Sequence, residues 1–352
     1  MTVTNLIGDT TLLVADIGGT KSDFALFLPG NVTKPLYQQR YFNSSFSSVE
    51  EIIHKFLSTI QHVPSIACLA VAGLVGKGRA EMTNLAWTLD SVNLELQFGF
   101  TKVILINDLT AVARSIKHFS SNNFADIEII QQGDPGGGAV SAVVAPGTGL
   151  GEGLIVESDG LLFVTGTEGG HADFAPVDEE QMALLAWVRK KQTPVSYEYL
   201  IAGPGIARLY DFCKSYYGMD ESVHVAGEMS GKTDRTPAII AGAIADKACP
   251  LCRRTVDLFL KILGSEAGNL ALKTYALGGI YLGGGILPRL TGHVSFQGFI
   301  EQFLDKGQMS QLMKKIPVRL LLNKNAALIG GAGCLVEFLG KNGLNINDTR
   351  AS

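Results

Sequence analysis

The stretch that best indicates the fold is TLLVADIGGT, residues 11–20 of a 352-residue chain. Its apolar run ends in Asp16-Ile17 and is followed by the turn-forming tripeptide Gly18-Gly19-Thr20. A second apolar alternation extends from Asp23 to Leu28. Two strands joined by a glycine-containing turn predict a β-hairpin that opens a first domain.

A similar pattern recurs in the middle of the chain. We predict a strand over Val140–Val144, a glycine turn over Gly147–Gly151 and a second strand over Gly153–Val156. The two glycine turns also share the dipeptide Gly-Thr. This recurrence indicates two related domains, although one pair of motifs does not make a sequence repeat.

Strands and helices alternate along the rest of the chain, which favours α/β layers. The stretch Ala238–Tyr275 is predicted to be helix-rich, with a break near Gly264 or Gly268. Further strands are predicted over Ser65–Ala72, Lys102–Ile106 and Pro317–Leu322, and helices over Phe299–Leu312 and Ala326–Leu339.

Bulk composition excludes several classes of protein. Hydrophobic residues make up 46% of the chain and charged residues 18%, which favours buried cores over disorder. The net charge of −4 gives no electrostatic reason to expect nucleic acid or an anionic membrane as a partner. No basic residue precedes Lys21, and the longest apolar run, Tyr275–Leu287, is too short and glycine-rich to span a bilayer. A cytoplasmic protein is expected.

The five cysteines are expected to be reduced thiols, because an odd number cannot all pair and no export signal is apparent. Cys249 and Cys252 form the string CPLC. A structural zinc site needs about four ligands, and only these two are evident. We therefore favour two thiols on a helix over a metal or redox site.

The glycine turns are candidates for binding phosphate. The N–H groups of Gly18, Gly19 and Thr20 can form an anion-binding concavity, and Asp16 can hold the water shell of a metal ion. The same residues also suit an ordinary hairpin turn.

Two further glycine elements lie later in the chain. Gly147, Thr148 and Gly149 form a second turn that lacks the Walker A pattern. Two such hairpins, one in each half, suit a nucleotide held across a cleft. Gly283 and Gly284 follow a predicted strand, where they fit either a base or ribose lying on the backbone or a close crossing of helices.

Three polar elements could bind a substrate or act on it. Asn107 and Asp108 stand between a strand and a helix, either as a helix cap or with Asp108 as a base for a hydroxyl group. Glu168 and His171, in a glycine-hinged loop, could bracket neighbouring hydroxyl groups of a polyol or hold a metal ion. Glu198 could add a hydrogen-bond acceptor, or be a solvated surface residue.

In order along the chain, eight strings resemble the bacterial-type glucokinases, which are related to hexokinases. They are ADIGGT (15–20), MTNLAW (82–87), INDLTAV (106–112), PGTGLG (146–151), EGGHADFAP (168–176), VSYEYLIAGPG (195–205), EAGNLAL (266–272) and GGGILPR (283–289). Each string is weak by itself, whereas the ordered set is specific and extends to about Gly333.

This resemblance implies the two-domain actin/hexokinase-like (ribonuclease H-like) ATPase fold, with an interdomain cleft. It implies a small domain over residues 10–118 plus about 325–352 and a large domain over residues 119–324. The substrates would be glucose and ATP with Mg²⁺, with neither nucleic acid nor a membrane as partner. The family often forms homodimers, although no stretch of this sequence identifies an interface.

The resemblance also implies a role for each candidate residue. Asp108 would be the base for the sugar 6-hydroxyl, and Asn107, Glu168, His171 and Glu198 would hold the other hydroxyl groups. The residues implied for ATP are Asp16, Gly18, Gly19, Thr20, Gly147, Thr148 and Gly149 near the phosphates and Mg²⁺, and Gly283 and Gly284 near adenosine. The alternatives are a kinase for another hexose or an N-acetylhexosamine, and a non-catalytic sugar-binding regulator.

Overall fold

The structure, a computed structural model, describes residues 11–61, 63–82, 85–119, 125–134 and 137–342. The strands within these ranges are β1 (Leu12–Ile17), β2 (Lys21–Phe27), β3 (Tyr37–Phe42), β4 (Ile66–Val71), β5 (Gly73–Gly76), β6 (Arg79–Met82), β7 (Thr88–Asp90), β8 (Lys102–Asn107), β9 (Ile127–Gln131), β10 (Val140–Pro146), β11 (Leu150–Ser158), β12 (Leu161–Thr167), β13 (Gly279–Leu282) and β14 (Val318–Leu321).

The helices in the same ranges are α1 (Val49–Leu57), α2 (Ser91–Phe98), α3 (Asp108–Ser115), α4 (Glu179–Val188), α5 (Tyr197–Ile201), α6 (Gly203–Tyr217), α7 (Val223–Met229), α8 (Thr236–Ile244), α9 (Pro250–Thr274), α10 (Gln297–Leu304), α11 (Ser310–Met313) and α12 (Ala326–Lys341). The chain divides into two compact units. Unit 1 comprises residues 1–123 and 323–352, and unit 2 comprises residues 124–322.

Unit 1 contains a five-stranded sheet in the order β3-β2-β1-β4-β8. Strands β1, β2 and β3 form antiparallel pairs, whereas β4 runs parallel to both β1 and β8. The predicted hairpin at the start of the chain is therefore confirmed. A small antiparallel sheet, β5-β6-β7, lies between β4 and α2 in sequence.

Both faces of the unit 1 sheet are buried, which explains the nearly continuous apolar run of β1. Leu13, Ala15 and Ile17 pack into a core that includes apolar residues of α1 and α2. Leu12 and Val14 point to the opposite face and pack against residues of α12. Because side chains alternate along a strand, both sets must be apolar to bury the two faces.

Unit 2 contains a six-stranded sheet in the order β12-β11-β10-β13-β14-β9. Strands β10, β11 and β12 form antiparallel pairs, and β13 runs parallel to both β10 and β14. This repeats the succession of unit 1, with β9 added at the edge. The two units therefore share a strand order, which agrees with the recurrence of the glycine turns in the sequence.

The predicted break near Gly264 or Gly268 is wrong, because α9 continues through both glycines to Thr274. A β-carbon at Gly264 would lie 2.2 Å from the Phe299 carbonyl oxygen, and one at Gly268 would lie 3.0 Å from that of Phe303. These glycines therefore allow α10 to pack closely on α9. The true interruption precedes Pro250, at the start of α9.

The predicted helix over Phe299–Leu312 is also wrong in its extent. Helix α10 ends at Leu304, and α11 begins only at Ser310. Gly307 lies between them with φ of 53°, in the left-handed region that an α-helix does not use.

Cys249 and Cys252 are buried at the start of α9. The Cys252 N–H donates to the Cys249 sulfur at 3.5 Å, so Cys249 caps the helix. Burial raises the pKa of the Cys252 thiol, which favours the unreactive form. No group of three or more His, Cys, Asp or Glu side chains within the described ranges could hold a metal ion. Among the described helices, none is both long and apolar enough to cross a membrane.

Candidate active site

The first glycine turn joins β1 to β2 in unit 1. The Gly18 N–H donates to the Lys21 carbonyl at 3.0 Å, which closes the turn. Among the described contacts, the N–H groups of Gly19 and Thr20 donate no hydrogen bond. Two adjacent unpaired N–H groups on a glycine turn are what an anion-binding concavity requires.

Asp16 precedes this turn and is half-buried. The pKa of its carboxyl is raised to about 7, chiefly by burial and also by the nearby carboxylates of Asp108 and Asp23. The cationic side chains of Lys21 and Arg40 lower this pKa and offset part of the increase. Negative charge is therefore concentrated at the end of β1. A bound divalent cation would stabilise the ionised form, so the residues present fit a magnesium–nucleotide complex.

Asn107 and Asp108 lie at the carboxyl end of β8, on the same edge of the sheet as the first turn. Asn107 caps α3, because its Oδ1 accepts from the N–H groups of Leu109 at 2.9 Å and Thr110 at 3.3 Å. Its Nδ2 donates to the Gly73 carbonyl at 3.1 Å. The capping interpretation therefore holds for Asn107.

Asp108 is the first residue of α3 rather than its cap. Its Oδ1 accepts from the Leu109 N–H at 2.8 Å. Burial raises the pKa of the Asp108 carboxyl, and the hydrogen bonds from Leu109 and Asn107 partly offset this. A half-buried carboxylate with a raised pKa can accept a proton from a hydroxyl group.

The second glycine turn, in unit 2, is held by Glu198. The Leu150 N–H at the end of the turn donates to Glu198 Oε2 at 2.9 Å. A β-carbon at Gly149 would lie 2.6 Å from the same oxygen, so this position has no room for a side chain unless Glu198 moves. The Gly147 carbonyl accepts from the Gly203 N–H at 2.7 Å, which joins the turn to the start of α6.

Three polar residues predicted to bind sugar converge in unit 2. His171 Nε2 lies 3.7 Å from Glu198 Oε1 and 3.8 Å from Glu168 Oε2. The exposed fraction of the side chain is 61% for His171, 31% for Glu198 and 79% for Glu168. Glu168 precedes a short 3-10 helix, Gly169–His171, and Glu198 lies in the first turn of α5. The group is therefore accessible to a polar ligand, but it does not form a metal site within the part of the chain that the structure describes.

The third glycine element lies beside the second turn. The Gly283 N–H donates to the Val144 carbonyl at 2.8 Å, which continues the pairing of β13 with β10. Gly284 has φ of 81°, and a β-carbon there would lie 2.2 Å from the Pro146 carbonyl oxygen. Only glycine fits this close approach of backbone to backbone.

Comparison with known proteins identifies the family. A family model described as Glucokinase matches residues 13–337. The glucokinase of Nostoc punctiforme is 34% identical over 339 residues, which cover 92% of this chain and 98% of that protein. A crystal structure of glucokinase from an Antarctic psychrotroph is 34% identical, with a TM-score of 0.79 over 94% of this chain and 100% of that chain. The chain belongs to the glucokinase family.

Glucokinase structures share the fold described above. The glucokinase of Balamuthia mandrillaris, solved in complex with glucose, has a TM-score of 0.74 over 96% of both chains at 21% identity. The resemblance carried by the eight strings is confirmed, and so is the actin/hexokinase-like α/β fold. Thr83 and Asn84, within the string MTNLAW, lie outside the described residues.

Sequence reasoning missed two buried polar residues behind the glucokinase motifs. Asn43 is 2% exposed and hydrogen-bonds the first glycine turn. Glu152 is 1% exposed and lies beneath Gly169, where a β-carbon would lie only 2.0 Å from Glu152 Oε2. Neither residue stands in a recognisable pattern, so no local signal could have identified them. Their contacts arise only when distant strands and loops pack together.

Proposed function

We propose that this sugar kinase of the glucokinase family transfers the γ-phosphoryl group of ATP to the 6-hydroxyl of glucose. The observation that carries the proposal is the position of Asp108. Its half-buried carboxylate lies at the same sheet edge as the first glycine turn. A base beside a phosphate-binding turn is the arrangement that phosphoryl transfer to an alcohol requires.

The nucleotide is assigned to the glycine elements. In unit 1, the unpaired N–H groups of Gly19 and Thr20 suit phosphate oxygens, and Asp16 suits the hydrated Mg²⁺ of the substrate MgATP. In unit 2, the turn Gly147–Gly149 is assigned to phosphate and Gly283–Gly284 to adenosine. When bound, Mg²⁺ would neutralise charge on the phosphates.

The sugar is assigned to the polar residues. Asn107, Glu168, His171 and Glu198 supply neutral donors and charged acceptors that suit neighbouring hydroxyl groups. Asp108 then removes the proton of the reacting hydroxyl as its oxygen attacks the γ-phosphorus in line, and the N–H groups of the turns stabilise the transferring charge.

The first experiment measures ADP formation by the purified protein with MgATP, in the presence and absence of glucose. We expect ADP release that depends on the sugar, with glucose 6-phosphate as the product. A panel containing mannose, fructose and N-acetylglucosamine then compares kcat/KM between sugars. Release of ADP that no sugar in the panel stimulates would contradict the proposal.

The role of Asp108 is tested by Asp108→Ala. We expect kcat to fall by about 10²–10⁴-fold, the usual contribution of a positioned base, with a much smaller change in glucose affinity. The matched control is Asp90→Ala, because Asp90 caps α2 in the same unit through the N–H groups of Val92 and Asn93. That variant loses a helix cap but should retain kcat.

We also propose, from the family resemblance, that the enzyme is a cytoplasmic homodimer. Light scattering on the purified protein gives its mass in solution. A mass of 37.5 kDa, that of one chain, would rule out the dimer.

A further inference from the structure

A buried asparagine lies behind the first glycine turn. Asn43 follows β3 and begins a short 3-10 helix, Asn43–Ser45. It is 2% exposed, so its amide group must find hydrogen-bond partners inside the protein. No role for this residue follows from the sequence motifs.

Asn43 contacts both arms of the turn. Its Nδ2 donates to the Gly18 carbonyl at 2.7 Å, and its backbone N–H donates to the Thr20 carbonyl at 3.0 Å. Its Oδ1 accepts from the Ser22 hydroxyl at 2.8 Å. One residue therefore contacts the first and last residues of the turn and the start of β2.

These contacts determine which groups of the turn remain unpaired. The carbonyl oxygens of Gly18, Thr20 and Lys21 all accept hydrogen bonds from within unit 1, whereas the N–H groups of Gly19 and Thr20 donate none among the described residues. These three carbonyl oxygens are therefore occupied within the protein, and the two N–H groups remain available to bind an anion.

The geometry of the peptide bond links the two observations. The carbonyl of Gly18 and the N–H of Gly19 belong to one planar trans peptide, so they point in opposite directions. When Asn43 holds the Gly18 oxygen, it also fixes the direction of the Gly19 N–H. Because both residues of this peptide are glycines, little steric hindrance opposes its rotation. A hydrogen bond from another residue is therefore needed to fix its orientation.

We propose that Asn43 is a positioning residue for the phosphoryl donor, which fixes the Gly18–Gly19 peptide so that the Gly19 N–H faces the phosphates of ATP. The proposal rests on the function proposed above for this turn. Asn43 does not touch the nucleotide and acts through the peptide. Without it, the peptide can rotate and present the Gly18 carbonyl, which repels phosphate oxygens.

The test is Asn43→Ala, measured with MgATP and glucose. We expect kcat/KM for ATP to fall about tenfold or more, as for the loss of one preorganised N–H donor. The Kd of a non-hydrolysable ATP analogue should rise in parallel. The Kd of glucose, measured by calorimetry without nucleotide, should change less than about twofold.

A second variant, Asn43→Asp, keeps the shape of the side chain but replaces the donor with an oxygen. At neutral pH it should impair ATP use at least as much as Asn43→Ala, because an ionised carboxylate cannot donate to the Gly18 carbonyl. At acidic pH the introduced carboxyl group becomes protonated and regains a donor. We therefore expect its kcat/KM for ATP, relative to wild type, to recover as the pH falls, which a merely structural role would not produce.

The matched control is Gln38→Ala. Gln38 lies on β3, the strand that leads to Asn43, and its side chain donates a hydrogen bond to Asn325 Oδ1 at 3.1 Å rather than to the turn. This variant should retain the wild-type kcat/KM for ATP.

Two results would overturn the inference. One is wild-type kinetics for ATP in both Asn43 variants, even with reduced thermal stability. The other is an equal loss of glucose and ATP-analogue affinity, which would indicate general unfolding. A wild-type enzyme without any sugar-dependent ADP release would instead refute the proposed function itself. If Asn43→Ala does not fold, Ser22→Ala is a milder test, because it removes the hydrogen bond that orients the Asn43 amide. Normal ATP kinetics in Ser22→Ala together with normal kinetics in Asn43→Asp would refute the inference.

Discussion

At the scale of single residues, each unit contains a carboxyl group whose pKa is raised by burial. Asp16 in unit 1 and Glu152 in unit 2 each have a pKa raised to about 7, chiefly by burial. Glu152 is 1% exposed, and its Oε1 has no partner among the described residues. The nearby carboxylate of Glu266 raises the pKa of Glu152 further, and Lys273 lowers it. Glu152 therefore stays neutral up to a higher pH than an exposed glutamate does.

We predict that Glu152→Gln changes how stability depends on pH. A carboxyl whose pKa is higher in the folded than in the unfolded state favours folding at low pH, and this advantage disappears as the pH rises from about 4.5 to about 7. The rise in the pKa of Glu152 corresponds to a change of at most about 3 kcal/mol in the free energy of unfolding. The introduced glutamine side chain cannot ionise. The free energy of unfolding of Glu152→Gln should therefore exceed that of wild type at pH 8 but not at pH 4.5.

Thermal unfolding at several pH values between 4.5 and 8 measures this difference. The control is Glu157→Gln, an exposed carboxyl on the same strand. It should shift the melting temperature little at any pH. A constant difference between Glu152→Gln and wild type across the range would show that Glu152 is not held neutral by burial.

At the scale of elements, the position of Asp108 depends on the contact between α3 and α12. Helix α12 approaches α3 so closely that a β-carbon at Gly330 would lie 1.7 Å from the Ala111 carbonyl oxygen. On the same helix, a β-carbon at Gly331 would lie 2.5 Å from Val14 Cγ1 on β1. Two adjacent glycines thus let one helix pack against both α3 and the sheet.

We predict that Gly330→Ala lowers the free energy of unfolding by about 1–3 kcal/mol or more, because the added methyl group must displace backbone. Since α3 begins at Asp108, kcat should fall as well. Chemical denaturation and steady-state kinetics measure the two effects.

The matched control is Gly340→Ala, at an exposed site of α12 with no atom within 4 Å of an added β-carbon. There the substitution should raise stability by up to about 1 kcal/mol, because alanine favours the helix. Equal effects of the two substitutions would contradict the close packing of α12 on α3.

At the scale of the whole molecule, the two units repeat one topology, and each contains candidate functional residues. Unit 1 contains the first turn and Asp108, and unit 2 contains the second turn and the group Glu168, His171 and Glu198. Glu198 connects the two functions within unit 2, since it binds the second turn through Leu150 and lies 3.7 Å from His171. A change at Glu198 should therefore affect both substrates.

Ligand binding provides a prediction for the whole chain. Glucose at about 100 times its Kd should stabilise the native protein by about 2.7 kcal/mol, because it binds the native state only. Differential scanning fluorimetry measures the shift, with sorbitol at equal concentration as the control for a general solute effect. Asp108→Ala should keep most of this shift while losing turnover, and equal shifts with sorbitol and glucose would argue against a sugar site.

The sequence by itself determined the parts of this protein that are encoded locally. The apolar runs and glycine turns at residues 11–20 and 140–156 predicted both hairpins, and the order of eight motifs predicted the family and the fold. The boundary between β8 and α3 at Asn107 was also readable, because strand patterns and helix caps depend on neighbours in sequence.

Only the tertiary structure decided what depends on contacts between distant segments. Three contacts join residues that are far apart in the chain: the packing of Gly264 in α9 against Phe299, the hydrogen bond from Leu150 to Glu198 and the hydrogen bond from Asn43 to Gly18. A glycine reads as a helix breaker in sequence, but it is retained where a neighbouring backbone leaves no space for a side chain. Such proximity is a property of packing, which periodicity and propensity do not encode.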